Sequence, residues 1–194
     1  MGPIKVMLVD DHAVVRMGFK LLLAACEDIE VVGEADSGET AYVRYAELKP
    51  DVVVMDLSMP GMGGIEAVRR LTARDKGVRI LALSAHEDTA HPKRVLKAGA
   101  TGYLSKRGAP EALIDAVRTV AAGRMYLDAE IAQKLAMQDV TGAQNPVEAL
   151  SEREFEVFIH LARGQSVNQI AETLHLSTST IGTHLYNVKQ KLGA

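Results

Sequence analysis

A five-stranded parallel α/β domain, doubly wound, followed by a small all-α domain is the fold this sequence predicts. Three observations carry that expectation. Strand-like and helix-like patterns alternate five times over roughly the first 120 residues, which implies one parallel sheet with right-handed crossovers. The run Val52-Val53-Val54-Met55, ending at Asp56, is apolar on both faces, as a central parallel strand is. From Leu150 onward there are three short helical patterns and no strand signal.

The elements follow in order. Residues 4–9 are a strand ending at Asp10-Asp11. The next helix places Val15, Phe19, Leu22, Leu23 and Cys26 on one face. Residues 31–35 form a second strand; Ser37-Gly38 then opens a helix through Leu48, closed by Pro50. After the central strand, Pro60, Gly61, Gly63 and Gly64 mark a turn, and residues 65–74 are helical with Ile65, Val68 and Leu71 inward. Residues 79–83 are strand four, ending at Ser84-Ala85, and residues 88–97 a helix stopped by Gly99. Residues 102–104 make a short fifth strand ending at Ser105-Lys106. Pro110 suits the first turn of a fifth helix, which Gly123 ends. Residues 1–124 are thus the α/β domain. Residues 125–147 are a connector holding one helix, 128–137, and the polar stretch DVTGAQNP, 139–146. In residues 148–194, Ser151 and Glu154 make a capping box for a helix carrying Phe155, Phe158, Ile159 and Leu161-Ala162. A second helix spans 167–174. Ser177 caps a third, striped by Ile181, Leu185, Val188 and Leu192.

Composition narrows the function. The chain has 194 residues, one Cys, no Trp and a net charge of −3, so there is no internal disulfide and no whole-chain basic signature of nucleic-acid binding. The lone Cys26 suits a reducing cytosol and reads as core rather than nucleophile. The longest early apolar run, 21–26, is far short of the ~20 residues of a membrane span, and Asp10-Asp11 arrives too soon for a signal peptide. A cytoplasmic protein without a membrane association is expected.

Asp10, Asp11 and Asp56 end strands one and three, which are neighbours in the flavodoxin-like order 2-1-3-4-5. Alone, Asp56 reads as a metal ligand, a nucleophile or a helix cap. Together the three carboxylates would repel unless neutralised, and a small hard cation such as Mg²⁺ does this through oxygen ligands. Ser84 and Lys106 end strands four and five and reach the same edge, offering a hydroxyl and an ammonium as partners for phosphoryl oxygens. Five such residues at the ends of four strands point to a phosphoacceptor site. His12, His86 and His91 lack metal-ligand spacing and read as surface or loop residues.

The chain resembles a two-component response regulator of the NarL/FixJ family: a receiver domain followed by a LuxR-type helix-turn-helix domain. The resemblance rests on VDDH (9–12), VVVMDLSMPGMGG (52–64), LALSAH (81–86), GATGYLSK (99–106), LSEREFEVF (150–158) and QIAETLHLSTSTIGTHL (169–185). It implies that Asp56 accepts a phosphoryl group from a sensor histidine kinase. It also implies that Asp11, Asp56 and the Ser58 carbonyl hold Mg²⁺, with Asp10 helping through water, and that Ser84 and Tyr103 form a switch pair. Where many receivers have Pro after the Lys, in a cis bond, Arg107 stands here.

Residues 174–177 join two helices with helix-turn-helix anatomy. Ser179, Gly182, Thr183, Tyr186, Lys189 and Gln190 are the candidate DNA-reading residues on the third helix. Residues 148–194 carry five carboxylates against four Lys and Arg, unusual for DNA binding, and Gly182 falls where the resemblance would place a Lys. The family usually adds one more helix after the recognition helix; with the last residue at Ala194, either the sequence is truncated or dimerisation rests elsewhere. A homodimer formed on phosphorylation and bound to promoter DNA is expected. Two rivals remain at this point. One is a receiver whose helical domain docks to protein. The other is a phosphohydrolase with Asp56 as nucleophile, disfavoured because Ser58 stands where such enzymes usually carry a second Asp.

Overall fold

The computed structural model describes residues 2–85, 90–141 and 146–193, and the chain divides into two compact units, Met1–Met137 and Gln138–Ala194. In the first unit β1 (Ile4–Val9), β2 (Ile29–Ala35), β3 (Val52–Asp56), β4 (Ile80–Ser84), β5 (Gly102–Ser105) and β6 (Tyr126–Leu127) form one parallel sheet in the order β2-β1-β3-β4-β5-β6. The helices are α1 (Ala13–Ala24), α2 (Gly38–Leu48), α3 (Gly64–Arg74), α4 (Ala90–Ala98), α5 (Pro110–Ala121) and α6 (Ala129–Thr141).

Alternation along the strands sorts the core into two layers. Val6, Leu8, Val52, Val54, Leu81, Leu83 and Leu104 pack with Leu23 of α1 and Leu113, Val117 and Val120 of α5. Met7, Val9, Val53, Met55, Ala82 and Tyr103 point the other way, onto α2, α3, α4 and Ile131 of α6. The central strand is buried along its whole length, as its uninterrupted apolar run requires. Every parallel strand therefore delivers its C-terminal residue to one edge, and that edge collects Asp10, Asp56, Ser84 and Lys106.

Five strands were expected and six are present. β6 is only two residues long, too short to show a period of two, and it forms because the chain leaving α5 pairs with the open side of β5. Tyr126 N–H donates to Thr101 O and Asp128 N–H to Tyr103 O. The following helix runs beyond residue 137 to Thr141, since no helix breaker intervenes before Gly142. Of the expected polar connector, residues 142–145 lie outside the described residues, and Pro146–Ala149 is a single 3-10 turn. Cys26 sits past the end of α1, whose cap is Ala25, half-buried beneath the α1/α5 layer rather than on the helix itself.

In the second unit α7 (Glu152–Ala162), α8 (Val167–Leu174) and α9 (Thr178–Leu192) enclose Val157, Ile170, Ala171, Leu174 and Ile181. Each has its N-cap serine: Ser151 and Ser166 make full capping boxes with Glu154 and Gln169, and Ser177 accepts from Thr180 N–H. His175 closes α8 in the left-handed region, turning the chain into α9. The inward face of α7 differs from expectation. Phe155 and Val157 are buried, Phe158 and Ile159 are intermediate, and Leu161 is 44% exposed. The carboxylate of Glu154 occupies part of that face, drawn in by Lys191 of α9 at 2.6 Å.

Candidate functional site

Three chain segments build the acidic edge. Asp10 follows the last residue of β1, and its Oδ1 accepts from His12 N–H at 2.8 Å, closing the turn that carries Asp11. Arg16, on the first turn of α1, donates to the Asp10 carbonyl oxygen at 2.6 Å and is itself steered by Glu34 of β2 at 3.1 Å. β3 ends at Asp56, whose Oδ1 accepts from Ser58 N–H at 3.2 Å. α3 then starts against the strand it has just left. A Cβ on Gly64 would overlap the Asp56 carbonyl oxygen and lie 2.5 Å from Leu57 Cα. The third segment is the end of β5, where Lys106 N–H donates to Ser84 O at 2.8 Å and the ammonium lies 2.7 Å from Asp10 Oδ2 and 2.9 Å from Asp56 Oδ2.

Burial sets the electrostatics. Asp10 and Asp56 are 2% and 1% exposed. Burial pushes the Asp56 carboxyl above its ordinary range; Lys106 pulls it back, Asp10 adds to the rise, and the net is upward. Burial would lower the Lys106 ammonium, but Asp56 and Asp10 outweigh it and hold it above its ordinary value. The contact of Lys106 with Asp56 is one of charge, because Asp56 Oδ2 has no aligned hydrogen bond; Asp11 Oδ1 is likewise buried without one.

Those two orphaned oxygens test whether a cation fits. Ligand atoms of Asp10, Asp11, His12 and Asp56 all lie within 4.8 Å of one another. Asp10, Asp11 and Asp56 with Lys106 carry a formal net charge of −2, which one divalent ion cancels. An all-oxygen carboxylate set with unmet acceptors is the donor chemistry that hard cations take, so the acidic cluster fits a metal.

Of the residues singled out from the sequence, Asp10, Asp11, Asp56, Ser58 and Lys106 converge at this edge. Ser84 is fully buried at the end of β4, beside Ser105 on β5. Tyr103 is fully buried as well, opposite Ala82 and in the layer that includes Ile131. No cis peptide bond occurs among the described residues. One reading needs correction: His91 is 7% exposed on α4, inside rather than at the surface. His12 is 64% exposed just before α1, as expected, with its Nδ1 3.0 Å from Asp11 Oδ1 and 3.3 Å from Asp10 Oδ1. His86 lies outside the described residues. Arg16 and Gly64 were also missed; an Arg one turn after an acidic pair, and a glycine pair just after a strand-end Asp, were the available signals.

On α9 of the second unit, Ser179, Gly182, Thr183, Tyr186, Lys189 and Gln190 are all exposed, Tyr186 by 64%. Ile181 and Val188 take the opposite, buried side.

Comparison with known proteins accounts for both units. The family model described as a response regulator receiver domain matches residues 6–118, and that of the bacterial regulatory proteins, luxR family, matches residues 148–194. The response regulator UvrY of Escherichia coli (strain K12) is 41% identical over 191 residues, covering 97% of this chain and 88% of UvrY. The response regulator GacA of Pseudomonas aeruginosa is 40% identical over 191 residues, covering 97% and 89%. Among solved structures, RcsB from Salmonella enterica serovar Typhimurium, bound to a promoter in the presence of a phosphomimetic, matches with a TM-score of 0.70 at 27% identity. That match covers 100% of this chain and 94% of RcsB. With two family models matched and named relatives aligned along nearly the whole length, the chain belongs to the response regulators that join a receiver domain to a luxR-family regulatory domain.

Proposed function

We propose that this protein is a cytoplasmic, phosphorylation-controlled transcription regulator in which Asp56 takes a phosphoryl group from a sensor histidine kinase. The observation that carries the reading is a nearly inaccessible carboxylate, Asp56, facing an ammonium at 2.9 Å beside two further carboxylates. An Asp56 oxygen attacks phosphorus while the donor's N–P bond breaks, and the released imidazole takes up a proton. Asp11, Asp56 and the Ser58 carbonyl, assisted by Asp10, would hold Mg²⁺, which would supply charge neutralisation for that attack. Lys106 turns from Asp56 to the new phosphoryl oxygens, and Ser84 offers its hydroxyl to another. Tyr103, packed in one layer with Ile131, reads the change at Ser84.

The phosphorylated form pairs as a homodimer and presents α9 to the major groove of promoter DNA. Ser179, Gly182, Thr183, Tyr186, Lys189 and Gln190 then lie toward the duplex. Phosphorylation is tested with a small phosphodonor and Mg²⁺. The wild type takes up label and Asp56→Asn takes up none; undiminished label in the variant places the acceptor elsewhere.

One observation favours a second reading, a helical domain that docks to protein. Residues 148–194 hold more carboxylates than Lys and Arg, and Lys191 is engaged with Glu154. Titration of the full chain with random duplex DNA, with and without beryllofluoride, decides: salt-dependent binding supports the DNA reading, and its absence supports docking.

A further inference from the structure

The N-terminal edge of the receiver sheet, opposite the edge that carries Asp56, holds a second charged cleft. The turn entering β3 contributes Lys49 and Asp51, the turn entering β4 contributes Asp75 and Arg79, and α2 contributes Tyr45. The volume of the cleft is about 550 Å³, within the roughly 300–1,000 Å³ of small-molecule sites.

The charges there are not matched to one another. Each carboxylate is turned to a donor elsewhere in the fold. Asp75 accepts from the Tyr45 hydroxyl at 2.7 Å and from Gly77 N–H at 2.8 Å, and Asp51 accepts from Lys5 N–H at 2.8 Å. The cations are left over. Arg79 is half-buried, yet its guanidinium has neither a hydrogen bond nor an ion pair among the described residues. Arg16 and Arg44 are half-buried too, and both are held, by Glu34 and by backbone carbonyls. A partly desolvated cation without a partner is a cost that a bound anion would offset. Lys49 has no partner for its ammonium either, and its backbone sits in the left-handed region at the C-cap of α2, with φ 45°. Glycine is the residue that takes that conformation without strain. A lysine kept at a glycine position, beside an uncompensated arginine, breaks two local rules at one place, as binding sites do.

We infer that this cleft binds a small phosphorylated organic solute, with the phosphate held by Arg79 and Lys49. A guanidinium fork meets two phosphate oxygens, and an ammonium meets a third as a point charge. Ala46 and Pro50 add apolar wall, and the space exceeds a bare phosphate, which leaves room for the organic part. The cleft lies at the strand ends away from the acidic cluster, so binding needs neither a metal nor Asp56.

The test uses the full chain in metal-free buffer. Binding of fructose 1,6-bisphosphate is measured by calorimetry, with citrate as the carboxylate comparison, and is located by backbone amide chemical shifts. The wild type and Asp56→Asn are expected to bind the bisphosphate alike, with shifts at Lys49, Gly77 and Arg79. Arg79→Gln and Lys49→Gly are each expected to weaken it about tenfold. Lys49→Gly also relieves the left-handed backbone, so its melting temperature should not fall, which separates lost binding from lost folding. No saturable binding by the wild type, undiminished affinity in both variants, shifts confined to other residues, or citrate bound as tightly overturns the inference. Binding lost in Asp56→Asn and kept in Arg79→Gln overturns it as well, and places the anion at the acidic edge.

Discussion

Two helical glycines in the receiver unit should respond to Ala in opposite directions. Gly64 opens α3 with its Cα pressed on the strand end: an added Cβ would overlap the Asp56 carbonyl oxygen and lie 2.5 Å from Leu57 Cα and 2.9 Å from Asp56 C. Ordinary carbon contacts are about 3.5–4.0 Å, so the overlap is roughly 1 Å. Every offended atom is backbone of the β3 end, which no rotamer change can move. Overpacking costs about 1–3 kcal/mol where side chains can yield, and here the upper figure applies. Gly18 is exposed on α1 with nothing within 4 Å of an added Cβ. There Ala removes backbone freedom from the unfolded chain and gains about 0.5–1 kcal/mol. For a unit of this size about 3 °C accompanies each kcal/mol. Calorimetry of the full chain should therefore show the receiver transition falling by about 10 °C in Gly64→Ala and rising by about 2–3 °C in Gly18→Ala. Phosphoryl uptake should also fall at least tenfold in Gly64→Ala, because the shift is delivered to Asp56 itself. A receiver transition within about 2 °C of wild type in Gly64→Ala would show that the α3 start slides freely, and the packing argument would be wrong.

Further outcomes are expected elsewhere. Lys106→Met leaves two buried carboxylates facing each other and should cost about 3 kcal/mol in metal-free urea unfolding, with much of it restored by Mg²⁺; an indifferent variant would mean the ammonium contributes no net stabilisation. Glu154 is held at about 2, against an ordinary 4.5, by Lys191 and the Ser151 N–H and hydroxyl despite burial that works the other way. A lowered carboxyl stabilises the fold above pH 4.5 and loses that contribution as pH falls toward 2. The gap corresponds to about 3 kcal/mol at most, and solvent around Lys191 reduces it to ~1–2 kcal/mol. Glu154→Gln should flatten that part of the acid-unfolding curve of the second unit, and an unaltered curve would refute the pairing. Gly182→Lys should tighten duplex binding and steepen its salt dependence by about one unit of slope; an unchanged slope would place residue 182 away from phosphate.

The sequence displayed periods and edges, and these were enough for most of the architecture. Val52 to Met55 announces a strand buried on both faces because neither face carries a polar residue before Asp56 ends it. Once the strand order is granted, Asp10, Asp56, Ser84 and Lys106 must share an edge, since parallel strands end on the same side. What periodicity cannot report is distance. β6 stayed hidden because two residues make no pattern, and its existence depends on β5 presenting an open side. The close approach of Gly64 depends on how steeply α3 departs from β3.

The same limit explains the second unit. Counting residues 148–194 shows a slight acidic excess, and on that count alone DNA binding looks poorly supported. Position changes the meaning of the count. Glu154 is one of the five carboxylates but is 5% exposed, capping α7 and holding Lys191, so its charge and that of Lys191 are largely spent on each other. Arg153 and Glu156 form a second pair at 2.7 Å. On α9 itself that leaves Lys189 as the other cation. A recognition helix with so few cations gains little from counterion release, which scales with the phosphates neutralised. Under the proposed function its affinity would rest on base-edge contacts through residues such as Tyr186 and Gln190, and on two copies binding together. Under the proposed function, pairing governed by Asp56 would therefore set DNA affinity, because a second copy doubles the base-edge contacts.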